Sequence, residues 1–169
     1  DFAFCHSHIR SLYIPSSLVE IGKLWIGGAE NLSQFEVDSN STHFIKENDI
    51  LYYINQSQNQ KPTKELLFMP RKQLGHIQID PKITHIRSFA FYKCQIQSVF
   101  SNSSSVEVDS HSFDQCHYLE SISLQSASHC SISEQCFYGL GNLKSLRIIC
   151  NDLIISKNWI KHCSSLDVI

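Results

Sequence analysis

Five large residues, Phe113, Cys116, Leu119, Ile122 and Leu124, are spaced by gaps of three, three, three and two. The same gaps recur 24 residues later at Phe137, Leu140, Leu143, Leu146 and Ile148, and upstream at Ile26, Ala29, Leu32, Phe35 and Val37. A further copy runs Ile160, Cys163, Leu166, Ile169. Two units are one residue shorter: Phe91, Cys94, Ile96, Val99 and Phe4, Ile9, Leu12, Ile14. A second apolar site lies five residues before each anchor, at Ile21, Ile86, Val108, Ile132 and Ile155. No single helix or strand keeps such a rhythm. A coil of short units does, because equivalent side chains stack into ladders and no unit buries its apolar face alone.

Within a unit, "LESISL" reads as a strand. Alternation sends Leu119, Ile122 and Leu124 inward and Ser121, Ser123 and Gln125 outward. Neighbouring strands then pair in parallel, and their outward residues form one face. Its central column is Tyr13, Glu36, Phe100, Ser123 and Arg147. The flanking columns are Ser11, Gln34, Ser98, Ser121, Ser145 and Pro15, Asp38, Asn102, Gln125, Ile149. Aromatic and Arg side chains anchor most protein contacts, so the central column is the candidate partner-binding face.

"IRSFAFYKCQIQSV", "VDSHSFDQCHYLESISL" and "IPSSLVEIGKLWIGGAENLSQFEV" together resemble the leucine-rich repeats of the BspA-like surface antigens of bacteria and trichomonad protists. Ala90, Phe91, Cys94, Phe113, Cys116, Cys163 and "IPSSLVEI" carry the resemblance. Leu140 stands where that pattern has Cys, and Trp159-Ile160 replaces its Ala-Phe pair. The resemblance implies a leucine-rich-repeat solenoid, mainly β, with irregular or short helical return segments. It also implies a non-catalytic binding or adhesion role at a cell surface or in secretion, toward a host-cell or extracellular-matrix protein.

The ruler fails between Val37 and Ile79. Residues 39–76 hold "HFIKENDILYYI" and "KELLFMPR" around a polar connector, which predicts an inserted β-hairpin. Tyr52, Tyr53 and Phe68 then cover the flank of the coil or present a contact patch; aromatic strands more often pack. Residues 1–169 are read as one repeat domain and as an excerpt of a longer array, with flanking repeats of the parent chain as neighbours.

Seven cysteines read as mostly buried thiols, with a Cys130–Cys136 bridge as the alternative. The nine histidines are scattered, and His85 and His111 read as solvated turn residues. No zinc spacing, nucleophile motif or phosphate-binding glycine loop is present, so no metal, cofactor or catalytic residue is expected. A formal charge of −2 argues against nucleic acid as partner, and no apolar run is long enough for direct membrane insertion. Sequons at Asn31, Asn40, Asn55 and Asn102 lean slightly toward the cell exterior. The alternative is a cytoplasmic repeat scaffold or sensor attached to a signalling domain such as a protein kinase, where thiols stay reduced.

Overall fold

The computed structural model describes residues 2–56 and 61–167. The expected anchor at Ile169 and connector residues 57–60 lie outside the described residues. The chain is a β-solenoid of about six turns, and among the described residues there is no helix. Each of the C-terminal turns contributes a strand, a corner, a second strand and a return bend.

The first strands are β6 (Leu74–Gln78), the opening half of β8 (Gln95–Val108), the opening half of β9 (Ser121–Ile132) and β11 (Ser145–Ile149). They pair in parallel, placing Ile77, Val99, Ile122 and Leu146 in one row. After the corner come β5 (Thr63–Phe68), β7 (Ile83–Ile86), the closing halves of β8 and β9, and β12 (Asp152–Ile155). These too are parallel, with Leu66, Ile86, Val108, Ile132 and Ile155 in register. The short strands β10 (Phe137–Tyr138) and β13 (Ile160–Lys161) pair across the return. At the N-terminal end, β1 (Ser11–Ile14) and β2 (Gln34–Val37) form a separate parallel pair.

The return bends explain why no helix is needed. Every regular anchor is flanked by two residues in the left-handed region, one two places before and one two places after. The pairs are Phe2 and His6, Leu24 and Gly28, Phe89 and Lys93, His111 and Gln115, Gln135 and Gly139, Asn158 and His162. Each left-handed residue reverses the chain locally, so the anchor between them points into the coil. Asn, His and Gly are the residue types that tolerate this conformation best. Three histidines of the sequence are therefore backbone devices of the bend.

The anchors stack ring on ring. Phe91 and Phe113 lie 4.8 Å apart and 7° from parallel, and Phe113 meets Phe137 at 5.5 Å. At the next turn Trp159 keeps the aromatic contact, 6.0 Å from Phe137, although its ring sits one residue early. Each fully buried Phe ring contributes roughly 1.5–3 kcal/mol through lost apolar hydration. The cysteine ladder has a polar purpose as well. Cys116 Sγ donates to the Phe91 carbonyl at 2.8 Å, Cys163 Sγ to that of Phe137 at 3.3 Å, and Cys94 Sγ to that of Met69 at 3.6 Å. In each case the thiol reaches the anchor carbonyl of the preceding turn.

The corners are closed the same way. Ser103 Oγ donates to Ile83 O at 2.7 Å, Ser126 Oγ to Ser104 O at 2.8 Å, and Asn151 Nδ2 to Ala127 O at 2.9 Å. The sequence's many Ser and Asn residues thus satisfy carbonyls that bending strands would otherwise leave unpaired.

The segment expected as a two-stranded hairpin is built differently. β3 (Phe44–Glu47), β4 (Ile50–Asn55) and β5 form a three-stranded antiparallel ribbon. β5 is itself a rung of the coil, since it also pairs in parallel with β7. Met69 N donates to Ala90 O at 2.7 Å, the bond that Phe91 makes to Ser112 at 2.9 Å, so Met69 takes the anchor position of this turn. Met69 follows Leu66 by only three positions, whereas Phe91 follows Ile86 by five, so a ruler laid on the other units misses it. Tyr52 and Phe68 are buried, so they cover the core.

Candidate partner-binding face

The parallel register fixes which outward side chains share a column. Gln78, Phe100, Ser123 and Arg147 lie side by side across four strands, flanked by His76, Ser98, Ser121 and Ser145. On the other flank Asn102, Gln125 and Ile149 align. The neighbours of Phe100, Val99 and Ser101, are buried, so its half-buried ring points outward; Arg147 is exposed. His76 Nδ1 lies 2.7 Å from Ser98 Oγ, tying the first two strands together.

Tyr13 and Glu36 pair directly, but on the separate β1–β2 sheet. The column expected to be continuous is therefore two patches. Tyr13 donates to Asp38 Oδ2 at 2.7 Å, which raises the phenol's pKa and leaves the ring 56% exposed. His76 and Gln78 were missing from the column expected on the sequence. The match of "SLYI" to "HIQI" carried the signal, since it places Gln78 at the position of Tyr13.

The strands after the corner carry a charged cluster. Glu65 is buried; its Oε1 accepts from Asn55 Nδ2 at 3.0 Å and its Oε2 lies 3.2 Å from Arg87. His85 stands 3.0 Å from Asp109, 3.7 Å from Glu107 and 4.0 Å from Glu65. It is thus a member of an ion cluster, contrary to the solvated turn residue expected, because parallel stacking puts carboxylates on both sides of it. Burial pushes the Asp109 carboxyl up, but the adjacent His85 and the charges of Arg87 and Lys23 outweigh it and hold the pKa below the usual value.

All seven cysteines are free, and the expected alternative bridge from Cys130 to Cys136 is not formed. Burial pushes Cys94 and Cys130 up to about 12, with Cys150 beside Cys130 adding to the latter, and it raises Cys116 well above the ordinary thiol value. These thiols are protonated at neutral pH and so lack the thiolate that reacts or binds metal. Among the described residues, no group of three or more His, Cys, Asp or Glu is placed to hold a metal ion. Nor, among the described residues, is any helix long and apolar enough to cross a membrane.

The BspA-type leucine-rich-repeat pattern matches in six copies, over residues 1–52 and 47–167. The chain belongs to the BspA-type leucine-rich-repeat family. Two solved structures share the fold of this BspA-type array. A leucine-rich repeat protein from Eubacterium ventriosum superposes with a TM-score of 0.72 at 21% identity, over 96% of this chain and 42% of its own. A leucine-rich cell surface protein from Faecalibacterium prausnitzii gives 0.65 at 18% identity, over 100% of this chain and 49% of its own. The chain thus spans less than half the length of either. Curated protein sequences give no match.

Proposed function

We propose that this chain is a non-catalytic protein-binding module of a cell-surface or secreted protein, and that it adheres through the outer face of its first strands. One observation carries the reading: the register gathers Phe100 and Arg147 into a single column with Ser123 and Gln78, in an otherwise small and polar surface. Aromatic and Arg side chains set among small neighbours give a partner both anchors and close approach. Tyr13 and Glu36 extend the face onto the β1–β2 sheet. Membership of the BspA-type family and the surface setting of the F. prausnitzii protein support an extracellular partner, such as a host-cell or matrix protein.

The test is binding of the purified chain to a panel of immobilised matrix proteins and to host cells. A Phe100→Ala, Arg147→Ala double variant should weaken binding about tenfold or more with an unchanged melting temperature. Equal binding by wild type and variant would remove the face, and no binding to any surface would remove adhesion.

The seven unbridged thiols favour a second reading, an intracellular scaffold joined to a signalling domain. Thiol counting and glycan analysis on protein from its native host separate the two. Glycans at Asn31 or Asn102 would defeat the intracellular reading.

A further inference from the structure

The two patches of the contact face are separated by a cleft of about 460 Å³, between β2 and the bend of the third turn. Gln34, Glu36, Lys46, Asp49, Arg71 and Lys72 line it. Lys46 is occupied: its Nζ donates to Phe35 O and pairs with Asp49, both at 3.0 Å. Arg71 is not. Its Nε and both Nη atoms are shut off from solvent, and none has a hydrogen-bond partner among the described residues. Its company is the ring of Tyr92 at 5.0 Å and that of Phe68 at 5.9 Å.

A buried guanidinium with all its donors unspent is costly, and cation–π contact returns only part of the lost hydration. The fold does not require it. Arg71 stands two residues after the anchor Met69, where other turns place Lys93, Gln115, Gly139 or His162 in the left-handed bend. Arg71 has no left-handed conformation and turns its head between two rings. Burial lowers its pKa, and the nearby Tyr92, Cys94 and Glu30 offset that only in part.

We infer that this cleft binds the side-chain carboxylate of an Asp or Glu presented by an extended segment of a protein partner, with Arg71 swinging its head out from the two rings to act as the fork that receives it. A planar guanidinium matches a carboxylate through two parallel hydrogen bonds, and Lys72 adds a second positive charge beside it. Glu36 and Asp49 on the same wall oppose a dense polyanion and suit a basic residue next to the carboxylate. The occupant is therefore a mixed-charge segment. Gln34 and Glu36 belong to the outward row of β2, so a partner lying on the contact face passes over the opening. The inference rests on the proposed contact face for the source of the segment, but the cleft is testable without it.

The experiment is an NMR titration of the isotopically labelled chain with the blocked tetrapeptide Ala-Glu-Lys-Ala, its Ala-Gln-Lys-Ala counterpart, and inorganic phosphate. The Glu peptide should shift the Arg71 Nε–H and the Gln34 and Lys72 amides, and the Gln peptide should bind about tenfold or more weakly. Arg71→Gln should abolish the shifts, and Arg71→Lys should keep a weakened response. If Arg71→Gln fails to fold, Lys72→Gln should weaken the Glu peptide and Glu36→Gln should strengthen it, as neither is needed for packing. Equal binding of the two peptides, no shift at millimolar peptide, or tighter binding of phosphate than of the Glu peptide would overturn the inference. Phe100→Ala and Arg147→Ala should leave this titration unchanged. Adhesion that fails while the Glu peptide binds would remove only the contact face, and the reverse result only the cleft.

Discussion

From Phe91 to Ile160 one turn lies on the next with its anchors in register, whereas from Gly27 to Phe89 the contacts are improvised. In the regular region Phe91, Phe113 and Phe137 stack, and Cys116 and Cys163 each bond an anchor carbonyl. In the junction, Phe35 tilts onto Phe68 at 4.7 Å, Phe89 presses on Gly27, and Glu30 pairs with Lys93 at 2.5 Å. The difference teaches where a solenoid can vary. A regular turn is constrained on both sides by identical neighbours. At the junction two unlike surfaces meet, and there the ribbon, the Met69 turn and the Arg71 cleft all occur.

The sharpest way to break the regular region is to charge its ladder. Leu119→Asp should cost more than about 4 kcal/mol and leave no cooperative melt, since it buries a carboxylate without a partner. Ser123→Asp, on the outer face four residues away, should stay within about 1 kcal/mol in the same denaturation. Similar losses from both would show the in–out assignment to be wrong.

Phe113→Ala should cost about 3–5 kcal/mol by chemical denaturation, because rings on both sides keep the cavity open. Phe89→Ala, half-buried at the junction against Tyr92 and His111, should cost about 1–3 kcal/mol. Equal losses would erase the distinction between the two regions.

Two glycines occupy the same bend position in the two regions, and both have φ of +71°. At Gly139 an added Cβ meets nothing within 4 Å, so Gly139→Ala should cost about 1–2 kcal/mol from backbone conformation alone. At Gly28 the Cβ would overlap the His6 ring, so Gly28→Ala should cost about 1–3 kcal/mol more, measured by thermal and urea melts. His6→Ala should bring the two glycine variants together.

The smallest effect is in pH. The Asp109 pKa is lowered on folding, so its contribution is present above the unfolded value near 3.8 and is lost as pH falls through the folded value. Below pH 4 the melting temperature of wild type should therefore fall faster than that of Asp109→Asn. Parallel falls would show that the His85 cluster contributes no acid sensitivity.

Much of the molecule was legible in advance because a stacked coil writes its geometry into spacing. Each buried anchor must recur at the same phase, so Phe113, Leu119, Ile122 and Val108 could be assigned to ladders, and Ser123 and Arg147 to the outer face. The register of β8, β9 and β11 follows from that phase. The bends were less legible. His111 and Gln135 reveal left-handed backbone only once their shared offset from Phe113 and Phe137 is known. His85 looked solvated because the carboxylates beside it come from other turns.

The sequence by itself determined the repeat length and, in the regular turns, the inward residues and the outward columns, since each depends on local alternation and a constant period. Tertiary structure alone decided that Met69 serves as an anchor, that β5 is both ribbon and rung, that the contact column is split, and that Arg71 lies between Tyr92 and Phe68 with its donors unspent. These features arise where two stacks meet out of phase. Their partners are distant along the chain, and no period links them.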